Sequence, residues 1–278
     1  YTESVTAAPG SFSQVRESAA QLLRTAKECG IAIFLVGHVT KDGTVAGPKI
    51  LEHMVDVVLF FEGESGSSLR ILHGQKNRFG STNEIAVFEM DGAGLHEVLN
   101  PSELLLSGRP IGASGSVVSC GMEGTRPLLI EIQGLLVASA FNLPRRTANG
   151  IDYNRLNLLI AIVEKRLNLE IGKYDAYVNI TGGLRIAEPS MDLAVIMALI
   201  SSYMNIEIPE DVMIFGEVGL SGEVRAVSNA DQRIEEAARL GFHKIVLPAF
   251  HMKKLRQPNL TACELVPVRS IREAVKIL

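Results

Sequence analysis

The sequence predicts a protein of the α/β class, in which an incomplete sheet domain is followed by a second α/β domain. In the first region, a helix is followed at once by the continuous apolar run Ile31 to Val36, which is typical of a strand covered on both faces in a parallel sheet. Beyond residue 115, apolar strands and helices alternate to the end of the chain. Turn-forming residues from Asn100 to Gly115 separate the two regions, so we expect domains at 1–107 and 108–278.

The first predicted helix has recognisable start and stop signals. Ser11 and Gln14 have the spacing of a capping box, and Gly30 is a helix stop. One apolar stripe connects them, formed by Val15, Ala19, Leu22, Leu23 and Ala26.

Apolar periodicity also predicts the remaining elements. In the first region we expect a short helix over 50–55 and strands over 57–61, 69–72 and 85–90. In the second we expect strands over 128–137, 175–181, 212–217 and 244–247, and helices over 153–167, 190–204 and 229–240, with a closing helix from Ser270. This pattern predicts two layers, with the helices on one side of a mixed sheet.

The pentapeptide Lys76-Asn77-Arg78-Phe79-Gly80 is the strongest candidate for chemistry. Two cations one residue apart follow an apolar strand and precede an aromatic residue and a glycine. A guanidinium and an ammonium on a short turn can neutralise the charge that develops on a transferring phosphoryl group. The alternative interpretation is a basic hairpin tip on a solvated edge.

The end of the 31–36 run indicates a second candidate site. His38 follows this run, and ligands of open α/β sheets gather at the carboxyl ends of strands. The next residues, 40–49, are rich in glycine and include Lys41 and Lys49, a composition that suits a mobile loop on a nucleic-acid backbone. A loop histidine bonded to a carbonyl and a disordered crossover remain the alternatives.

Four motifs give the chain a resemblance to the RadA (Sms) family of bacterial DNA-repair proteins over nearly its whole length. They are V-G-H-V-T-K-D-G at 36–43, L-E-H-M-V-D at 51–56, K-N-R-F-G-S-T-N-E at 76–84 and M-E-G-T-R-P at 122–127. The resemblance implies a RecA-like ATPase core fused to a domain similar to the Lon protease. It also implies a hexameric, ATP-driven DNA motor that promotes branch migration during homologous recombination.

The resemblance further implies roles for individual residues. Lys76 and Arg78 would reach the nucleotide of a neighbouring subunit, and His38 would sense the γ-phosphate. Residues 4–12 and 40–49 would be DNA-binding loops. The implied partners are single- and double-stranded DNA, other copies in a ring and the recombinase RecA. The implied cofactors are ATP and Mg²⁺ in the full-length protein, with zinc only in an N-terminal part outside this chain.

Two family motifs are missing from the sequence. It contains no G-x-x-x-x-G-K-[ST] phosphate loop and no four-cysteine zinc motif. The chain also begins at Tyr1. We therefore expect a segment that begins just past the strand with the Walker B acid, that is inactive alone, and whose 31–36 strand has lost its sheet partners.

The second half resembles the Lon proteolytic domain, which shares its core with a domain of ribosomal protein S5. The serine motif of that family appears here as Glu188-Pro189-Ser190-Met191-Asp192, and 215–225 matches the segment after it. An active member has a lysine base on the following helix. By count that position is Asp231, with Arg233 nearby, and neither replaces a lysine. We therefore expect Ser190 to be a helix N-cap, and we reject peptidase activity.

Basic pairs in the second half are candidates for duplex DNA contact. They are Arg145 with Arg146 in a loop and Lys165 with Arg166 at a helix end. A solvated face is the alternative. If the domain does not cleave peptides, we expect it to serve ring assembly and DNA docking.

Composition limits the remaining possibilities. The formal net charge is −4, so any DNA contact has to be local, and no apolar run is long enough to span a membrane. The three cysteines, Cys29, Cys120 and Cys263, are too scattered for a zinc site and too few for a disulfide framework. We expect a reduced, cytoplasmic protein with no metal site in this chain.

Overall fold

The computed structural model describes residues 2, 4–8, 10–37, 49–63, 68–140, 143–183, 188–255 and 263–278. Contacts divide the chain into two compact units. Unit 1 comprises Tyr1–Phe61 and Leu72–Glu84, and unit 2 comprises Glu62–Ile71 and Ile85–Leu278. These units do not coincide with the division expected at 107/108, which stays a prediction about domains.

Unit 1 begins with the helix α1 (Phe12–Cys29), which ends at Gly30 in the left-handed conformation (φ 64°), as expected. The predicted capping box does not form, because the Ser11 side chain makes no capping hydrogen bond at the start of the helix. The Gln14 amide instead donates to the carbonyls of Thr2, Val5 and Ala7 at 3.0, 2.6 and 3.2 Å. Gln14 therefore ties the preceding segment to α1 rather than closing the first turn.

The expected strand over 31–36 is wrong. These residues have no regular secondary structure, and Phe34 and Val36 are 84% and 96% exposed. A strand requires a neighbour for its backbone hydrogen bonds, and none of the described strands pairs with this run. The apolar pattern indicated a buried strand, but a strand forms only where neighbouring strands are present to pair with it.

Unit 1 continues with the helix α2 (Lys49–Met54) and the strands β1 (Val57–Glu62) and β2 (Leu69–Asn77). The last residue of β1, Glu62, and the first three of β2, Leu69–Ile71, are counted in unit 2. Strands β1 and β2 are neighbours, and the Phe60 and His73 rings stack with centroids 5.9 Å apart. Strand β2 runs five residues beyond the expected end at Leu72. It therefore includes Lys76. The polar composition after residue 72 gave no signal that the strand continues there.

Unit 2 begins with an antiparallel hairpin of β3 (Ile85–Asp91) and β4 (Gly94–Glu97), with Phe88 opposite Glu97. The helix α3 (Pro101–Leu106) follows. Its Ser102 is fully buried, donates to Glu236 Oε1 at 2.8 Å and accepts from the Leu129 amide at 3.1 Å. The region expected to be a boundary thus begins with a helix packed into the core of unit 2.

The other elements of unit 2 alternate along the chain, largely as predicted. They are β5 (Ser116–Glu123), β6 (Arg126–Ala138), β7 (Arg146–Asn149), α4 (Tyr153–Leu167), β8 (Tyr174–Ile180), α5 (Asp192–Met204), β9 (Val212–Ile214), β10 (Glu217–Val218), β11 (Val224–Arg225), α6 (Ala230–Arg239), β12 (Lys244–Pro248), β13 (Glu264–Val268) and α7 (Ile271–Ala274). The strands β5, β7, β11 and β13 were not predicted.

Seven strands of unit 2 form one mixed sheet of order β13-β12-β9-β5-β6-β8-β7. The pairs β13–β12, β12–β9, β9–β5 and β7–β8 are parallel. Strand β6 is antiparallel to both β5 and β8. Strands β10 and β11 form a separate antiparallel pair. The predicted α/β class with a mixed sheet is confirmed.

Side chains of this sheet pack on both faces. Val117 and Ile130 belong to a large core with residues of α4, α5 and α7. Val118 and Leu129, one position away in each strand, belong to a second core with residues of α6. Because successive side chains in a strand point to opposite faces, α6 covers the face opposite α5. The expectation that the helices lie on one side is therefore corrected.

Candidate functional site

In unit 1 the structure brings together two motifs that lie about twenty residues apart in sequence. Lys76, near the end of β2, donates through Nζ to the carbonyl oxygens of Glu52 and Val55 at 2.6 and 2.8 Å. These carbonyls lie at the C-terminal end of α2, where helix carbonyls lack partners within the helix and a cation is favoured. Lys76 therefore anchors the end of β2 to α2.

Arg78 is attached to the same helix end through Asp56. The Arg78 amide donates to the Asp56 carbonyl at 3.0 Å, and one guanidinium nitrogen, Nη1, lies 3.0 Å from Asp56 Oδ1. The other, Nη2, donates to the His53 carbonyl at 3.4 Å. The side chains of Arg78 and Asp56 are 48% and 45% exposed. This ion pair is thus accessible to a ligand in solvent.

The three other residues of the pentapeptide shape the turn. Asn77 Oδ1 accepts from the Phe79 amide at 3.1 Å, and Asn77 Nδ2 donates to the Ser81 carbonyl at 3.2 Å. This local bonding is an Asx-type turn. A Cβ at Gly80 would lie 2.9 Å from Asn77 Nδ2, so the turn closes tightly there. The Phe79 ring is 84% exposed.

The arrangement can present a cation to an anion outside the unit. An exposed ion pair contributes only about 0–1 kcal/mol to stability, and the pairing with Asp56 does not prevent Arg78 from also binding a phosphate. The Lys76 ammonium is half-buried and already makes two carbonyl bonds. Of the two cations, Arg78 is therefore the more accessible.

Some of the predicted site residues cannot be placed. His38 and Lys41 lie outside the described residues, and Lys49 is the first residue of α2. Of the segment 4–12, Val5 and Ala7 accept bonds from Gln14, as described above. The pentapeptide is therefore the part of the predicted site with visible geometry.

In unit 2, Ser190 is not the N-cap of α5. It lies in a short 3-10 helix, Pro189–Met191, and is 1% exposed. Its Oγ accepts a hydrogen bond from Arg233 Nη1 at 3.1 Å. Asp231, the position chosen by counting, instead lines an open cleft beside Asn229 and Lys254. Residues 231 and 233 are two positions apart in α6, which is about 200° around the helix axis, so their side chains leave the helix on opposite sides.

Arg233 is fully buried and joins three parts of unit 2. Its guanidinium donates to the Cys120 carbonyl in β5, to the Ser228 carbonyl at 3.0 Å and to Glu188 Oε2 at 2.7 Å. Burial raises the pKa of the neighbouring Cys120 thiol to about 12. Because an arginine stays protonated, it donates to Ser190 and does not accept the hydroxyl proton.

A buried ion pair at the start of α5 escaped the sequence analysis. Arg155 Nε donates to Asp192 Oδ1 at 2.9 Å, Arg155 Nη2 bonds Oδ2, and the Val218 amide donates to Oδ2 at 3.0 Å. Burial raises the pKa of Asp192, although the bonds from Arg155 and Val218 oppose that shift. A charged residue at the head of an apolar helix was the available signal.

The basic pairs of unit 2 differ in how firmly they are held. Arg146 donates to the Tyr174 carbonyl and, at 2.7 Å, to the Gly172 carbonyl, while Arg166 donates to the Leu220 carbonyl at 3.1 Å. These guanidinium groups stabilise the fold. Arg145, Lys165 and Arg166 are exposed, and Arg146 is partly buried.

Two further searches cover the described ranges only. Among those residues, no group of three or more His, Cys, Asp or Glu side chains is arranged to hold a metal ion. None of the helices in those ranges has the length and apolar character needed to cross a membrane.

Comparison with known proteins adds the family context. A family model described as subunit ChlI of Mg-chelatase matches residues 156–251, which lie in unit 2. The chain is 50% identical over 277 residues to DNA repair protein RadA of Bacillus subtilis, covering 99% of this chain. It is 48% identical to DNA repair protein RadA of Halalkalibacterium halodurans over 100% of this chain, and 52% identical to that of Brucella abortus over 89%.

The matches also define how much of the relatives this chain represents. It spans 60% of the Bacillus and Halalkalibacterium proteins and 53% of the Brucella protein. The matches to the Halalkalibacterium and Bacillus proteins cover 100% and 99% of this chain. The chain therefore belongs, as a segment, to the RadA family of DNA-repair proteins.

Proposed function

We propose that the chain is part of an ATP-dependent DNA motor acting in DNA repair and homologous recombination, where it promotes branch migration. In this proposal Lys76 and Arg78 form a finger that reaches a nucleotide bound by a neighbouring copy in a hexameric ring. The family membership supports the repair role. The finger is supported by the braced turn that holds a half-exposed Arg78 next to Lys76.

That braced turn is the observation on which the proposal depends. A transferring phosphoryl group gains stabilisation mainly from cations that are already in position. Lys76 bonds the end of α2, Asn77 closes the turn, and Asp56 holds Arg78. These contacts distinguish the turn from a flexible hairpin tip, whose cations would not be held in one position.

Other components of the motor lie elsewhere in the full-length protein. The sequence contains no phosphate loop, so ATP and Mg²⁺ would be bound mainly by residues outside this chain. His38 would sense the γ-phosphate, and Lys41 and Lys49 would contact single-stranded DNA. Arg145 and Lys165, with Arg146 and Arg166 beside them, would meet duplex DNA. The recombinase RecA would be a partner.

A second candidate function is a non-catalytic platform for ring assembly and DNA docking. The observation in its favour is that the Lys76 ammonium already has two carbonyl partners within its own unit. Peptidase activity is not proposed. Among the described residues, the side chain that bonds Ser190 Oγ is the buried Arg233, which stays protonated and cannot act as a base.

Replacing Lys76 in the full-length protein distinguishes the two functions. We expect Lys76→Ala to lower DNA-stimulated ATP turnover about a hundredfold or more, since it removes a positioned cation. Ring formation, measured by light scattering with nucleotide and DNA, should be unchanged. Near-normal turnover in this variant would favour the platform and overturn the motor role of the finger.

The control is an exposed lysine of unit 2. Lys173 and its partner Glu170 are each 69% exposed, with Nζ 2.7 Å from the carboxylate. Lys173→Ala should leave ATP turnover unchanged. Because Lys76 also anchors α2, the thermal midpoint of each variant should be recorded, so that lost folding is not mistaken for lost chemistry.

A further inference from the structure

We propose that Asp56 is a positioning residue, which holds the Arg78 guanidinium in the direction from which it reaches a phosphate on a neighbouring copy. This inference rests on the proposed function of the finger. It assigns a role to the last residue of the 51–56 motif, which is separated from the pentapeptide in sequence and meets it only in the folded unit.

Asp56 holds Arg78 at two points. Its carbonyl accepts from the Arg78 amide at 3.0 Å, which fixes the backbone where β2 gives way to the turn. Its carboxylate Oδ1 lies 3.0 Å from Nη1, which fixes the far end of the side chain. The His53 carbonyl lies 3.4 Å from Nη2 on the same helix end. One short segment thus determines both the origin and the direction of the guanidinium.

The contacts leave donors of Arg78 available. A guanidinium has five N–H groups, and two of them account for the bonds to Asp56 and His53. The remaining three bond none of the described residues, and the side chain is 48% exposed. A phosphate oxygen can therefore be bound without breaking the contact to Asp56.

The benefit of this arrangement is preorganisation. An arginine loses rotamer entropy when it is ordered on a ligand, and a carboxylate that has ordered it beforehand removes part of that cost. Orientation of a catalytic group affects the rate of the chemical step more than substrate affinity. Loss of Asp56 should therefore lower kcat while leaving the KM for ATP nearly unchanged.

The experiment uses the full-length protein. Asp56→Ala should lower the kcat of DNA-stimulated ATP turnover about tenfold. Asp56→Asn keeps an oxygen that accepts from Nη1, so it should lose less, about two- to threefold. Glu170→Ala removes the carboxylate of an exposed ion pair in unit 2 and should leave turnover unchanged. A rise in turnover on Asp56→Ala would overturn the inference, because Asp56 would then restrain the finger.

A double-mutant cycle separates positioning from a general structural role. If Asp56 acts through Arg78, the variant Asp56→Ala/Arg78→Ala should be no slower than Arg78→Ala alone. Multiplying effects of the two substitutions would overturn the inference. If Arg78→Ala itself leaves turnover unchanged, the proposed finger fails. If Arg78→Ala is slow and Asp56→Ala is not, the finger stands and only the role of Asp56 fails.

Discussion

Single residues in this protein show how burial changes what a polar side chain does. Arg233 is fully buried, and its guanidinium donates hydrogen bonds to Cys120, Ser190, Ser228 and Glu188. The half-buried Lys76 ammonium similarly donates hydrogen bonds to two carbonyl oxygens. An unpaired charge or dipole in a protein interior is costly, so the position of each partner matters as much as the residue type.

Ser119 on β5 is an exception that makes a prediction possible. It is 0% exposed, and its hydroxyl has no hydrogen-bond partner among the described residues. Ser119→Ala should raise the free energy of unfolding by about 1 kcal/mol, because it removes a buried hydroxyl that water no longer solvates. Denaturant titration of the chain followed by circular dichroism measures the change.

Ser116 on the same strand is the matched control. It is 4% exposed, donates to Glu131 Oε1 at 2.6 Å and accepts from Arg109 Nε at 3.2 Å. Ser116→Ala should lower the free energy of unfolding by about 2 kcal/mol, because it leaves a buried carboxylate short of a donor. Equal destabilisation by the two substitutions would contradict the assignment of Ser119 as unpaired.

At the scale of elements, the backbones of α5 and the central sheet of unit 2 approach each other closely. Helix α5 is apolar on all sides, with ten of its residues, Asp192 to Ser201, buried. It lies directly over Gly134 of β6. A Cβ at Gly134 would be 3.0 Å from the backbone carbon of Ala198 and 3.1 Å from the Leu199 nitrogen. Glycine is therefore required by the close approach of two backbones.

Gly134→Ala should destabilise unit 2 by about 2 kcal/mol, because the helix backbone has to move away from the sheet. Thermal unfolding followed by circular dichroism measures the loss. Gly92→Ala is the control, since a Cβ there meets nothing within 4 Å, and it should change the midpoint little. A neutral Gly134→Ala variant would show that α5 can shift without cost.

At the scale of the whole molecule, the proposed motor requires more than one copy of the protein and more than this segment. The segment covers 60% of its Bacillus relative and contains no phosphate loop of its own. In the proposed motor, the finger and the nucleotide site at one boundary belong to different copies. That separation can be tested with mixtures of inactive subunits.

We expect a full-length Arg78→Ala variant and a full-length variant with a disabled phosphate loop each to hydrolyse ATP slowly. When they are mixed in equal amounts, some boundaries combine an intact finger from one copy with an intact nucleotide site from the other. ATP turnover should then recover to roughly a quarter of the wild-type rate, as random pairing of two subunit types predicts. No recovery in mixed rings of confirmed composition would place finger and nucleotide in the same subunit.

Sequence reasoning predicted the elements of unit 2 well, because apolar periodicity is a local property. Helix α4 was predicted within its observed bounds of Tyr153–Leu167, and α7 begins after Ser270, whose side chain accepts from the Glu273 amide. Predictions failed where the structure depends on partners that are distant in the sequence or lie outside the predicted element. The run 31–36 lacked strand neighbours, and Gln14 found carbonyls preceding the helix rather than its own cap.

The sequence by itself determined the α/β class, most element positions and the family, and it selected the pentapeptide as the candidate site. Only the tertiary structure decided which groups meet. It placed Arg233 rather than Asp231 against Ser190, joined Lys76 to the end of α2, and put Asp56 beside Arg78. The physical reason is that periodicity and turn chemistry act over a few neighbouring residues. The bonds that join these groups connect residues 21 to 113 positions apart, and packing of the folded chain selects the partners.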